Sequence, residues 1–185
     1  MIKKCFLFAF SVFITAITAS SAYAQRSNSG TIFPLLDQAE CSDASSSYAQ
    51  FESWDENTSI GRQLHDTSYR MWAHQEDHGG IYFALLTCEI NITEFDTLSL
   101  QMGVADNAGA NHDATVKIYQ GGNVLGEYRQ LGAGDMVEYT MDLLNANVGN
   151  SEDIAIELLC NAGGSNNYCY LHLIEAELTP TNYVP

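Results

Sequence analysis

Thr97-Leu-Ser-Leu-Gln-Met-Gly-Val104 alternates apolar and small or polar residues without a break. In an extended chain successive side chains point to opposite faces, so Leu98, Leu100, Met102 and Val104 share one face. The pattern recurs at Ala114-Thr-Val-Lys-Ile-Tyr119, where Ala114, Val116 and Ile118 align, and at Ile154-Ala-Ile-Glu-Leu158. Each stretch reads as a strand with one buried face. Residues 81–88, 136–142 and 168–178 have the composition of three more strands, and Gly121-Gly122 supplies a tight two-residue hairpin turn. Beyond the N-terminal segment no window keeps an apolar stripe of helical period over three turns. The expected fold is all-β: an antiparallel β-sandwich or jelly roll.

Outward from this pattern, residues 1–24 have the form of a signal peptide. Lys3 and Lys4 precede an apolar run from Cys5 to Ile17, and Ala22-Tyr-Ala24 offers small residues for cleavage before Gln25. Export implies a secreted or periplasmic protein, and no later stretch is long and apolar enough to span a bilayer. Residues 25–50, rich in Ser, Asn, Asp and Ala, read as a loosely ordered lead-in to a sandwich domain over 51–179, with a frayed tail at 180–185. The mature chain sets five Lys or Arg against 23 Asp or Glu, a net charge of −18. Such a field repels nucleic acid and anionic lipid, and it disfavours sulfated glycans.

Removing Cys5 leaves Cys41, Cys88, Cys160 and Cys169, an even set in a chain addressed to an oxidising compartment. Three pairings are open. The polar segment Asn161–Tyr168 between two strand-like runs favours Cys160–Cys169 across the ends of a hairpin, with Cys41–Cys88 pinning the N-terminal segment. No Cys-x-x-Cys spacing suggests zinc.

The order of strands resembles the NPCBM-type carbohydrate-binding module, a galactose-binding-like jelly roll first described at the N terminus of some glycoside hydrolases. The residues that carry the resemblance are Gly61 and Tyr69, Gly79-Gly-Ile-Tyr-Phe83, the Leu100-Gln-Met-Gly-Val-Ala-Asp106 stretch ahead of Ala114–Tyr119, Met141-Asp-Leu143 and Ile174-Glu-Ala-Glu-Leu178. The resemblance implies a non-catalytic, carbohydrate-binding domain. Jelly rolls of this type often hold a structural calcium, for which the oxygen-rich loop between Asp106 and Asp113 is the candidate; no cofactor is required.

Sugar recognition needs flat aromatic faces together with amide, imidazole or carboxylate groups that bond hydroxyls. Three segments offer them: Tyr69, Trp72, His74 and Asp77; Asn107, Asn111 and His112; Asn167 and Tyr168. If loops converge at one end of the sandwich, these segments meet, and a neutral glycan is the favoured ligand. The histidines of His74-Gln-Glu-Asp-His78 do not follow a metalloprotease order, and no Gly-x-Ser-x-Gly is present, so an enzyme is not expected. The alternative is a protein-binding or envelope structural module without a sugar site.

Overall fold

The computed structural model describes residues 33–75, 82–143, 151–161 and 167–181. Their elements are β1 (Phe33–Pro34), α1 (Leu35–Gln38), β2 (Glu40–Asp43), β3 (Ala49–Ile60), β4 (Gln63–Gln75), β5 (Phe83–Asn91), β6 (Phe95–Gly103), β7 (Ala114–Gln120), β8 (Asn123–Leu131), β9 (Met136–Asp142), β10 (Ser151–Cys160) and β11 (Asn167–Pro180). The signal-like segment 1–24 lies outside the described residues. No helix among them is long and apolar enough to cross a membrane.

Two antiparallel sheets form a jelly-roll sandwich. One runs β3-β4-β11-β6-β9, with β1 also against β11, and the other runs β2-β5-β10-β7-β8. The alternating residues meet between them: Leu98, Leu100, Met102 and Val104 face Val116, Ile118, Ile154, Ile156 and Leu158, and none is more than 3% exposed. A one-residue slip in any of these strands would turn its apolar set to water, so the period of two fixes register as well as face.

Two tight turns have the geometry expected of two-residue hairpins. Gly121 and Gly122 (φ 54° and 79°) join Gln120 to Asn123, and Gly61 and Arg62 (φ 59° and 66°) join Ile60 to Gln63. The second hairpin, β3–β4, is not evident from alternation, because a register shift between Ser53 and Glu56 interrupts the pattern. Gly103, at the end of β6, is required by close approach: a Cβ there would stand 2.6 Å from Ile60 Cγ2 and 3.1 Å from the Asp135 carbonyl.

Both disulfides form, and one does so in an unexpected place. Cys41 and Cys88 are direct cross-strand partners in β2 and β5, 4.0 Å apart at Cα. Within the expected lead-in, therefore, residues 40–43 form an edge strand, and Leu35 is fully buried. Cys160 and Cys169 pair as expected, but not across a hairpin. They close the ends of β10 and β11, which belong to different sheets, so this bridge joins the two layers of the sandwich, and both residues are fully buried.

The two bridges close loops of different length, with sequence separations of 47 and 9. Loop-closure entropy puts the stabilisation near 4 kcal/mol for the longer loop and 3 kcal/mol for the shorter, so both figures are of order ~3–4 kcal/mol. Guanidinium unfolding should therefore show a greater loss for Cys41→Ala/Cys88→Ala than for Cys160→Ala/Cys169→Ala. The reverse order would show that the inter-sheet bridge does more than restrict the unfolded chain.

Candidate functional site

Strand β11 places Cys169, Leu171 and Leu173 in the core, and the same alternation turns Tyr168, Tyr170 and His172 to the outer face. The neighbouring strand β4 presents Arg70, Trp72 and His74 opposite His172, Tyr170 and Tyr168, in register. Two adjacent strands thus lay six ring or cationic side chains on one face. His74 stacks between Tyr168 (centroids 4.7 Å) and Tyr82 (6.2 Å), Trp72 meets Tyr168 edge-on at 5.9 Å, and Tyr168 lies along Tyr170 at 6.3 Å.

At the end of this face nearest the β3–β4 turn, the rings border a cleft of about 530 Å³ lined by Trp54, Glu56, Arg70, Tyr168, Tyr170 and His172, together with Asp106, Asn107 and His112 from the loop after β6. Arg70 sits 3.4 Å above the Trp54 ring and 5.1 Å from Tyr170. Its Nε donates to Glu52 at 2.5 Å, so the guanidinium is both stacked and ion-paired, which fixes the Trp54 ring against it. His172, 5% exposed, meets Trp54 edge-on at 6.0 Å. Burial, reinforced by the Arg70 charge, pulls the His172 pKa down to about 4, so the ring is neutral at ordinary pH.

The loop over Asp106–Asp113 is held by its own polar residues. Asp106 accepts bonds from the Ser59 hydroxyl at 2.5 Å and the Arg62 amide at 2.9 Å, tying the loop to the β3–β4 turn. The Ser59 bond, with help from the Arg62 and Gly61 amides, holds the Asp106 carboxyl below the usual range although partial desolvation opposes this. His112 Nε2 accepts from the Tyr170 amide at 3.0 Å, which leaves Nδ1–H to donate to the Leu131 carbonyl at 3.1 Å. The imidazole so stands in for a neighbouring strand at the point where β11 has passed the end of β6.

Of the residues expected to bind ligand, Asn107, His112 and Tyr168 do line the cleft, and Trp72 and His74 adjoin it through Tyr168. Trp72 and His74 lie on β4, which runs on through Gln75, and not on a loop. Tyr69 is placed elsewhere: it stacks on Phe51 at 5.4 Å and packs against the core, because odd-numbered residues of β4 face inward. Asn111 is exposed and away from the cleft lining. Asp77 lies outside the described residues, as does the side chain of Asn167, whose backbone pairs with Gln75. Asp106 and Asp113 stand at opposite ends of the loop, and among the described residues no three His, Cys, Asp or Glu side chains come together as a metal cluster. Trp54, Arg70, Tyr170 and His172 also line the cleft and lie outside the set expected from sequence, although Tyr168-x-Tyr170-x-His172 is itself a period-two run of rings.

A larger groove, about 670 Å³, crosses the outer face of the other sheet between Glu40, Glu89, Asp153 and Glu157. Among the described residues the rings that line it are Phe83 and Tyr119, and the Tyr119 hydroxyl is bound to Glu157 at 2.6 Å. Burial, then the Glu157 contact, pushes the Tyr119 pKa up to about 12. This groove has the greater volume; the smaller cleft has the greater concentration of rings and polar groups.

No family model matches the sequence, and no curated protein matches it. Solved structures do resemble the fold. A CBM51 carbohydrate-binding module from Clostridium perfringens GH95, in complex with methyl-galactose, is 12% identical, with 80% of this chain and 100% of that one covered and a TM-score of 0.54. CBM51-2 with INT domains of Clostridium perfringens ZmpB is 13% identical, with coverage of 83% and 32% and a TM-score of 0.55. The same pair of domains in complex with GlcNAc is 14% identical at the same coverage, with a TM-score of 0.54. The chain spans about a third of the ZmpB chains. The likeness shows the fold: this is the β-sandwich found in carbohydrate-binding modules.

The His172 environment has a measurable consequence. A histidine whose folded pKa is about 4, against an ordinary 6.5, contributes stability that is complete above pH 6.5 and is lost as pH falls from 6.5 towards 4. Across that window this one group should lower stability by up to about 1.4 kcal/mol per pH unit. Urea unfolding at pH 7 and pH 5 should show a smaller loss for His172→Gln than for the native protein. Identical losses would place the acid sensitivity elsewhere.

Proposed function

We propose that this chain is a secreted or periplasmic, non-catalytic recognition module that binds neutral carbohydrate in the cleft bounded by Trp54, Tyr168 and Tyr170. The observation that carries this reading is Tyr168. It is 44% exposed, yet its ring is held in place by His74, Trp72 and Tyr170. An exposed but immobilised ring offers a flat face to pyranose C–H groups at little cost in side-chain entropy. Asn107 and Glu56 line the same cleft and can bond sugar hydroxyls. The ligands of the similar modules, methyl-galactose and GlcNAc, are neutral sugars, in keeping with the acidity of this chain, which disfavours polyanionic glycans.

A second reading, a protein partner, has an observation of its own. Strands β8 and β9 are sheet edges, and they expose Val124 (52%), Leu125 (45%) and Met136 (41%). Unpaired edges with apolar side chains are suited to strand addition by another chain.

A glycan array probed with the exported, disulfide-bonded protein, in calcium and in chelator, separates the two readings. Binding should appear on neutral glycans, and Tyr168→Ala should weaken it about tenfold with the unfolding midpoint unchanged. A blank array from folded protein would remove the carbohydrate reading and leave the exposed edges as the interaction surface.

A further inference from the structure

Among the described residues four strands end the two sheets, β3 and β9 in one and β2 and β8 in the other. An unpaired edge invites a second strand, and charge of one sign along it is a defence. Against a second copy of this acidic chain, that defence is present on three of the four. β3 carries Asp55 and Glu56 beyond the Glu52 that is paired with Arg70, β2 carries Glu40 and Asp43, and β9 carries Glu138 and Asp142, with no Lys or Arg on these strands. Such an edge brings like charges together when it meets its own copy. The fourth differs. Along β8, Asn123-Val-Leu-Gly-Glu-Tyr-Arg-Gln-Leu131, one Glu is set against one Arg, and neither Lys nor Pro is present. Val124 and Leu125 on the same strand are 52% and 45% exposed.

The placement of the two charges is self-complementary. Glu127 and Arg129 lie two apart on a strand and so share a face. Their contact within the chain, at 2.9 Å, leaves the Arg129 side chain 72% exposed. When two identical strands pair antiparallel about a two-fold axis at Tyr128, residue 127 of each faces residue 129 of the other, and two Glu–Arg pairs form across the axis. Register shifts interrupt the pairing of β8 with β7 on either side, near Leu125 and near Gln130 (φ 60°), whereas Gly126, Glu127 and Tyr128 pair without interruption. Bulges turn an edge away from a partner. The uninterrupted middle, which holds the axis, is therefore where a second strand can lie.

We propose that β8 is the edge through which two copies of this chain associate, strand against strand about Tyr128, joining their β2-β5-β10-β7-β8 sheets into one. Val124 and Leu125 of each copy lie beside the far end of the partner's strand. The cleft of Trp54 and Tyr168 is on the other sheet, so this association goes beyond the carbohydrate reading and does not depend on it. A contact this short is a weak one.

Sedimentation equilibrium of the disulfide-bonded protein tests the proposal. Loaded from about 1 µM to about 1 mM, in about 0.15 M salt so that repulsion beyond ~8 Å is screened, it should rise in mass with concentration towards twice the monomer. Arg129→Glu and Glu127→Arg each set like charges across the axis, so each alone should weaken association at least about tenfold. An equimolar mixture of the two variants restores a Glu opposite an Arg at both positions and should recover it, as should the double exchange Glu127→Arg/Arg129→Glu within one chain. A monomer at every concentration overturns the proposal. Association that survives both single variants, or that their mixture fails to recover while each keeps the native unfolding midpoint, also overturns it. The result for the native protein stands whether or not the variants fold. A monomer that still binds glycans on the array leaves the carbohydrate reading intact, and a dimer with a blank array leaves this one.

Discussion

The alternation of side chains along β11 is the constraint on which the rest of the molecule depends. This strand lies between β4 and β6, so its backbone is bonded on both sides, and its two faces carry different duties. Cys169, Leu171 and Leu173 enter the core, with Cys169 bonded to the opposite sheet, while Tyr168, Tyr170 and His172 turn outward. A shift of one residue would bury two tyrosines and expose a disulfide sulfur, two failures from one error. The apolar face and the bridge to β10 therefore fix the position of the rings, and the site inherits the rigidity of the core beneath it.

That coupling explains how an acidic protein assembles a cleft that is not simply another anionic surface. Arg70 is one of seven Lys or Arg side chains in the chain, against 23 Asp or Glu, and it is held between Trp54 and Glu52. The guanidinium stiffens the aromatic wall, and its paired carboxylate cancels its charge locally. Beside it, burial keeps His172 neutral. Trp54, the Arg70–Glu52 pair and His172 consequently bring little net charge to the cleft, whose carboxylates are those of Glu56 and Asp106 among the described residues. The acidic groove on the other sheet lacks this arrangement, since its tyrosine is already bonded to Glu157.

Loop residues rich in amides and imidazoles are read from sequence as ligand contacts, yet here several complete the scaffold. His112 spends both ring nitrogens on backbone groups of β11 and Leu131, and Asp106 spends its carboxylate on the β3–β4 turn. The loop is in this way fixed beside the cleft by the groups that look most available for binding. Asn107, with no such duty in evidence, keeps its side chain exposed at the cleft wall.

Apolar periodicity alone determined the all-β sandwich and the buried faces of β6, β7 and β10, because a period of two admits one solution when one side must be dry. The four remaining cysteines determined two bridges. The sequence could not show that Cys160 and Cys169 join different sheets, since spacing along the chain carries no information about which layer a strand enters. Nor could it reveal the β3–β4 hairpin, where the bulge after Ser53 breaks the alternation, or the inward face of Tyr69. The cleft itself depends on residues distant in the chain: Trp54 from β3, Arg70 from β4, Asn107 from a loop, and Tyr170 and His172 from β11. Only the strand order brings them together, because sheet neighbours are chosen by backbone pairing between remote segments and not by any local pattern.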